Sequence, residues 1–220
     1  MRDSSCSPLC IAVAIGGISL SLPVGCIAGL SGLDVAPNAR QAMLVGAATV
    51  GWSFTANSDL TVTELGYFDY GGNGLGEAHP VGIWDDTGNL LGSTTVQTNG
   101  TLIGGFRYAS VPAIALESGR NYVIAGFQSN ESLASRIDGL ATGNFSAYAG
   151  ITYGNSLMEF TPVFSRPGYD LINIGAPAIG PNFRATESAT IAPVPEPGTA
   201  VCGFALAMVG LIGRRRSRGA

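Results

Sequence analysis

The chain has 220 residues, a formal net charge of −4 and 46% hydrophobic residues. Residues 31–193 contain no cysteine and no lysine, and their six arginines oppose thirteen carboxylates, which gives a net charge of −7. This stretch therefore excludes a disulfide framework, thiolate catalysis and Cys-ligated zinc, and its charge argues against binding of nucleic acid or anionic lipid.

Residues 1–30 are predicted to be a secretory signal peptide that forms a helix outside the fold. Arg2 precedes a nearly uncharged apolar stretch, which is the usual order of a signal sequence. The cleavage point is ambiguous between Ala28, which has Cys26 at position minus three, and Ala39. A lipoprotein anchored at Cys26 is the weaker alternative, because the residues before this cysteine make a poor lipidation signal.

The central part of the chain, between residues 43 and 184, carries short stretches rich in Val, Ile, Thr, Tyr and Phe, separated at short intervals by Gly, Asn, Asp or Pro. This pattern predicts an all-β body, a single antiparallel β-sandwich of jelly-roll type, over residues 31–193. At about 160 residues the body is long enough for one hydrophobic core. Strands are predicted at 44–55, 60–69, 81–85, 90–95, 103–109, 122–128, 145–153 and 182–186.

Two local patterns within the body are specific enough to predict geometry. In residues 81–91, two apolar stretches flank a turn whose Gly88 and Asn89 tolerate positive φ, which predicts a β-hairpin. The apolar residues of 60–68 alternate in two different phases, so a bulge near Glu64 or Gly66 would turn both sets toward the core. The two sets are Leu60 with Val62 and Leu65 with Tyr67.

The glycine-rich loop at residues 69–77 is the candidate metal site. Asp69, Asn73 and Glu77 supply oxygen atoms that could surround a Ca²⁺ ion. Their spacing departs from an EF-hand, so the favoured interpretation is a turn between two strands with no cofactor. Phosphate binding is disfavoured, since no Lys, Ser or Thr follows the glycines.

A catalytic constellation is not visible in the body. His79 is the only histidine, and no serine motif or nucleophile accompanies it. Carboxylates such as Asp69 or Asp85 leave a polysaccharide hydrolase open as an alternative, because glycosidases need only two acids. Tyr70, in the glycine-rich loop, is the best candidate for an exposed ring that stacks on sugars, whereas both tryptophans are assigned to the core.

The C-terminal tail, residues 194–220, combines three elements. Val194, Pro195, Glu196 and Pro197 form a stiff, extended segment, since each proline fixes its own φ and disfavours helix before it. The apolar residues 199–213 follow, and as a helix they span about 22 Å, a marginal length for a bilayer core of roughly 30 Å. A cluster of arginines ends the tail and favours retention on the cytoplasmic side. These are Arg214, Arg215, Arg216 and Arg218.

In this order, the three elements resemble the PEP-CTERM sorting signal of exported proteins of Gram-negative bacteria. The resemblance implies an exosortase as partner, a membrane enzyme that recognises Pro195, Glu196 and Pro197 and removes the helix and the arginines. These residues are then a substrate and not a catalyst. The alternative is a plain single-pass anchor behind a proline-rich linker.

The body is similar to an uncharacterised β-sandwich domain often attached to PEP-CTERM tails, and this resemblance implies a fold but no activity. The stretches that carry it are Gly51-Trp52-Ser53-Phe54-Thr55, Leu60-Thr61-Val62-Thr63, Leu65-Gly66-Tyr67-Phe68-Asp69, Val81-Gly82-Ile83-Trp84-Asp85, Gly104-Gly105-Phe106-Arg107-Tyr108 and Gly180-Pro181-Asn182-Phe183.

The sequence thus predicts an exported, non-enzymatic protein that is held in the inner membrane by residues 199–213 until an exosortase processes it. Its destination is the cell surface or an extracellular polysaccharide matrix, where its role would be adhesive or structural. The alternatives are a secreted carbohydrate- or calcium-binding module and, less favoured, a polysaccharide hydrolase. Partners other than the exosortase and the membrane are expected to be extracellular polysaccharide, and not nucleic acid.

Overall fold

The computed structural model describes residues 12–15, 18–21, 29–36, 39–42, 46–129, 140–170 and 178–187. Within these residues the fold is all-β, as predicted, with a single 3₁₀ turn at Tyr70–Gly72. The strands are β1 (Ala12–Ile15), β2 (Ile18–Ser21), β3 (Leu30–Ser31), β4 (Leu33–Val35), β5 (Arg40–Ala42), β6 (Ala48–Ala56), β7 (Leu60–Phe68), β8 (His79–Asp85), β9 (Leu90–Val96), β10 (Thr101–Ile103), β11 (Phe106–Leu116), β12 (Asn121–Gln128), β13 (Leu140–Thr142), β14 (Phe145–Ala147), β15 (Ile151–Phe160), β16 (Tyr169–Asp170), β17 (Ala178–Ile179) and β18 (Pro181–Glu187).

Two antiparallel sheets form most of the body. The first has five strands in the order β10-β11-β7-β18-β3, and the second has six in the order β16-β15-β6-β12-β8-β9. Small sheets lie beside them, with β13 between β17 and β5, and β4 paired with β14. The late strand β18 is inserted between β7 and the N-terminal strand β3, so both ends of the body belong to one sheet.

The hydrophobic core lies between the two large sheets. Trp52 and Phe54 on β6 face Phe183 on β18, with ring centroids 5.9 and 5.2 Å apart. The indole Nε1–H of Trp52 donates a hydrogen bond to the carbonyl oxygen of Pro181 at 2.9 Å, which satisfies the one polar group of this fully buried side chain. These contacts join the sheets face to face, as a β-sandwich requires.

The hairpin predicted at residues 81–91 is confirmed. Strands β8 and β9 pair antiparallel, with Trp84 opposite Leu90. The turn is closed by a hydrogen bond from Asp85 N–H to the Asn89 carbonyl oxygen at 3.0 Å. Gly88 has a φ of 91°, which explains why the turn requires glycine at this position.

The bulge predicted in β7 is also confirmed, and it lies at the first of the two suggested positions. Glu64 pairs with Arg184, whereas Val62 pairs with Ala185, so the register shifts by one residue at Thr63. The shift buries the apolar residues on both sides of it, and Thr63 stays exposed.

Two of the predicted stretches are divided differently in the structure, and the strands β11 and β15 within them end later than predicted, at Leu116 and Phe160. The stretch 103–109 is interrupted by a tight turn at Gly104 and Gly105, whose positive φ values of 58° and 84° separate β10 from β11. The stretch 145–153 contains two strands, β14 and β15, because β14 pairs with β4 while β15 pairs with β6. In both cases alternation continues through a change of pairing partner, which a period-two pattern does not record.

The N-terminal strands are tied to β18 by one buried amide. The Oδ1 atom of Asn182 accepts hydrogen bonds from the backbone N–H groups of Leu33 (3.0 Å) and Phe183 (2.9 Å). Its Nδ2 group donates to the Leu33 carbonyl oxygen (2.7 Å) and to Ser31 Oγ (3.1 Å). Asn182 and Leu33 are both fully buried, so β3 and β4 belong to the core of the body.

The predicted terminal helices are not confirmed. The described part of residues 1–30 includes an antiparallel pair, in which β1 lies against β2. The predicted helix at 199–213, the sorting residues 194–197 and the terminal arginines lie outside the described residues. In the described residues, no helix has the length and apolar character needed to cross a membrane.

Candidate functional site at the glycine-rich turns

The glycine-rich loop is organised around a buried ion pair. Asp69 follows β7 and is 2% exposed, and its Oδ2 atom lies 2.7 Å from Nε of Arg107 on β11. The same oxygen accepts a hydrogen bond from the backbone N–H of Gly74 at 3.0 Å. The Arg107 guanidinium also donates to the carbonyl oxygens of Gly72 (3.0 Å) and Gly100 (2.9 Å). One arginine thus fixes two neighbouring turns, and the ion pair is electrically neutral.

The first cleft lies where this loop meets the β10–β11 turn. The two turns are joined by a hydrogen bond from Asp69 N–H to the Gly105 carbonyl oxygen at 2.9 Å. The cleft encloses about 830 Å³, a size common among ligand sites. Its wall is short of side chains because four glycines contribute to it. The lining residues are Val35, Ala36, Ala39, Phe68, Asp69, Tyr70, Gly71, Gly72, Gly104 and Gly105.

Tyr70 is the exposed aromatic ring of the first cleft. It is 45% exposed and lies 6.5 Å, between ring centroids, from the buried ring of Phe68. The ring therefore has one side supported by the protein and a large surface open to solvent. This agrees with the sequence-based choice of Tyr70 as an exposed ring, while both tryptophans are buried as predicted.

A second, smaller cleft lies next to the first. It encloses about 410 Å³, and it shares Val35 and Ala36 with the first cleft. On its floor β4 pairs with β14, which places Asp34 directly opposite Ser146. The lining residues are Asp34, Val35, Ala36, Asn144, Phe145 and Ser146.

The three candidate calcium ligands have different surroundings. The carboxylate of Asp69 is occupied by Arg107, Asn73 is exposed, and Glu77 accepts a hydrogen bond at Oε1 from Ser129 N–H at 2.8 Å. Among the described residues, no group of three or more His, Cys, Asp or Glu side chains is arranged to hold a metal ion. Calcium binding by Asp69, Asn73 and Glu77 stays a prediction, and an ion there would have to compete with a guanidinium.

His79 is part of the core. It is fully buried at the start of β8, its ring stacks on Tyr67 with centroids 3.8 Å apart, and its Nδ1 lies 2.9 Å from the Phe127 carbonyl oxygen. A carbonyl oxygen can only accept, so Nδ1 carries the proton in this contact. The geometry gives His79 a structural role between β7, β8 and β12.

Asp85 has a local structural role in the hairpin turn. Its Oδ1 accepts hydrogen bonds from Thr87 Oγ1 (2.7 Å), Thr87 N–H (3.0 Å) and Asn89 N–H (2.8 Å). These bonds, the one from the Thr87 hydroxyl first, lower the pKa of Asp85 from 3.8 to about 2. A general acid needs the opposite shift, so Asp85 is suited to holding the turn.

Comparison with known families assigns two parts of the chain. Residues 34–167 match a family described as a domain of unknown function, DUF4082. This match covers more than half of the chain. The chain belongs to the DUF4082 family. No curated protein matches the sequence.

A second match covers residues 193–217, which are matched by the PEP-CTERM protein-sorting motif. The resemblance noted in the sequence is therefore confirmed, including Val194, Pro195, Glu196, Pro197 and the first three terminal arginines. The motif implies that the protein is exported and sorted through an exosortase, which acts on the tail. The DUF4082 domain is the part of the protein that this motif sorts.

The DUF4082 match ends at residue 167, but the fold continues beyond it. Strand β18 supplies Phe183 to the core and pairs with β7 along its whole length. Sequence reasoning found β18 from its alternation. It missed Arg107 and Asp34, because their partners Asp69 and Ser146 are distant in sequence and no local motif connects them.

Proposed function

We propose that this DUF4082 protein is a non-enzymatic component of the cell surface or of an extracellular polysaccharide matrix. Before processing, residues 199–213 hold it in the inner membrane, and the arginines at 214–218 stay in the cytoplasm. An exosortase then cuts at the Pro195-Glu196-Pro197 segment. The observation that carries the proposal is the PEP-CTERM match at 193–217, directly after a body whose last described strand ends at Glu187.

The chemistry of the described residues supports a binding or structural role for the body, as a jelly-roll-like sandwich, over catalysis. Asp69 is neutralised by Arg107, and Asp85 is held as a carboxylate by its turn. His79 is fully buried and stacked on Tyr67. These are the acid and base candidates that the sequence singled out, and each is occupied by a structural contact.

The proposal includes a position for signal cleavage. Cleavage after Ala39 would remove β3 and β4, and with them Leu33, which is fully buried against Asn182. Cleavage after Ala28 retains both strands, together with Gly29, whose carbonyl oxygen accepts a hydrogen bond from Arg184 at 3.2 Å. We therefore expect the mature protein to begin at Gly29.

Mass spectrometry of the protein from its native host tests both cleavages. The mature form should begin at Gly29 and lack Arg214–Arg218. A Glu196→Gln variant should keep its arginine tail, whereas Glu117→Gln, at an exposed position of the body, should be processed normally. A mature protein that still carries Arg214–Arg218 would refute processing at the motif.

A further inference from the structure

The two clefts are neighbours that share two lining residues. Val35 and Ala36 line both of them, so a ligand that lies across β4 can contact the glycine-rich turns at one end and β14 at the other. We call this surface the β4 groove, with Tyr70 and Gly104 at its first end and Asp34 and Ser146 at its second.

The first end of the β4 groove is neutral. Among the described lining residues, Asp69 is the one with a carboxylate, and its charge is balanced by Arg107 at 2.7 Å. The other described lining is aliphatic, glycine backbone, and the rings of Phe68 and Tyr70. A phosphate or an acidic polymer would find no unpaired cation among these residues, and giving up its hydration without one costs free energy.

The second end of the β4 groove carries polar groups with spare hydrogen-bonding capacity. Asp34 and Ser146 lie opposite each other across β4 and β14, and Asn144 is next to them. All three are exposed, and within the described residues their side chains make no hydrogen bond to another protein group. A carboxylate, a hydroxyl and an amide together offer both donors and acceptors, which is what a hydroxyl-rich ligand needs.

The groove is also held in shape before any ligand arrives. The hydrogen bonds from Arg107 to Gly72 and Gly100, and from Asp69 N–H to Gly105, fix the two turns that present Tyr70. On the other side, the backbone N–H of Ala36 donates to the Asn144 carbonyl oxygen at 3.0 Å and connects β4 to β14. Preorganisation of this kind lowers the entropic cost of binding.

We propose that the β4 groove binds a neutral glycan chain. Tyr70 stacks on the C–H face of one sugar, because a pyranose ring combines an apolar face with hydroxyl edges that suit a tyrosine and its solvated surroundings. Asp34, Ser146 and Asn144 hydrogen-bond to the hydroxyl groups of a sugar further along the chain. The proposal rests on the surface role proposed above, for which it names the class of partner.

Affinity electrophoresis of the full-length protein tests this binding directly. The protein is kept in a non-ionic detergent without a sugar headgroup, and gels contain either neutral polysaccharides (dextran, mixed-linkage β-glucan, galactomannan) or acidic ones (alginate, polygalacturonate). We expect at least one neutral polymer to retard the protein and the acidic polymers to have no such effect. Retardation by acidic polymers alone, or by none of the five, would overturn the proposal.

Variants locate the binding surface. Tyr70→Ala should weaken binding about tenfold, as expected for loss of an aromatic anchor, and Tyr70→Phe should retain it. Gly104→Asn places a side chain in the cleft at a φ that asparagine tolerates, and it should also weaken binding. Tyr169→Ala removes a 70%-exposed ring from the other sheet and should have no effect.

Two outcomes would contradict glycan binding in the β4 groove. If Tyr70→Ala binds like the unmodified protein while Tyr169→Ala does not, the glycan site lies elsewhere. If the groove is instead covered by a second copy of the chain, sedimentation will show a dimer that Tyr70→Ala dissociates. The variants must unfold at the same midpoint as the unmodified protein, so that a loss of binding is not a loss of folding. Because the assay uses unprocessed protein, a failure to bind glycan can be told apart from a failure of exosortase processing.

Discussion

Asn182 offers the sharpest test of how the N-terminal strands stabilise the body. Replacing it with alanine takes away the partner of the backbone N–H groups of Leu33 and Phe183, both of which belong to fully buried residues. A buried polar group left unsatisfied costs about 1–3 kcal/mol, so two such groups give an expected loss of about 3 kcal/mol in the free energy of unfolding. For a domain of this size, this corresponds to a decrease in melting temperature of about 6–12 °C.

The assay is urea unfolding of the full-length protein at a fixed concentration of non-ionic detergent, followed by the fluorescence of the tryptophans. Trp52 is a suitable reporter because its indole is bonded to Pro181, beside the mutated residue. Asn121→Ala is the matched control, since Asn121 is an exposed strand residue with a hydrogen bond to Thr55. It should change stability by less than about 0.5 kcal/mol. Equal losses for the two variants would show that the buried amide does not hold β3 and β4.

Three further predictions concern the ion pair, the hairpin turn and a close strand contact. Arg107→Gln should lower the free energy of unfolding by about 3 kcal/mol, because it leaves the buried carboxylate of Asp69 without its partner. Arg120→Gln, at an exposed ion pair, is the control and should leave the urea midpoint unchanged. Similar urea midpoints for the two variants would contradict this prediction. The pKa of Asp85 is about 2 in the fold and 3.8 in the unfolded chain, so its stabilisation is present above pH 3.8 and is lost as pH falls toward 2. The difference in urea midpoint between Asp85→Asn and the unmodified protein should therefore shrink over that range, and a constant difference would exclude the titration. Gly51→Ala should cost about 2 kcal/mol or more, since its Cβ would lie 2.1 Å from a backbone oxygen of β12, while Gly168→Ala, in open space, should be neutral in the same melt.

The strands and the hairpin could be predicted because their signals are local. Alternation of apolar residues placed β6, β7, β8, β9, β12 and β18 to within a few residues, and the phase change in β7 located its bulge near Glu64. Gly88 marked the hairpin turn because only glycine adopts its φ without strain. In each case the residues that decide the geometry are neighbours in the sequence.

The β4 groove could not be predicted, because the residues that form it are distant from one another in the sequence. Asp34 faces Ser146 only because β4 pairs with β14, and Arg107 reaches Asp69 only because β11 lies beside β7. Such placements depend on which strands become neighbours, and a single sequence does not specify strand order. Tyr70 could be chosen as an exposed ring from its polar loop, but the cleft beside it is formed by parts of the chain far from it.

The pairing of β3 with β18 has a consequence for the order of maturation. Leu30 lies opposite Ala185, so the strand that follows the proposed signal peptide and the last described strand before the sorting tail are paired neighbours in one sheet. In a precursor attached to the bilayer by both termini, the two connecting segments would therefore leave the body next to each other. If both proposed cleavages occur, each removes a segment that lies outside this strand pair, and neither needs the other to come first.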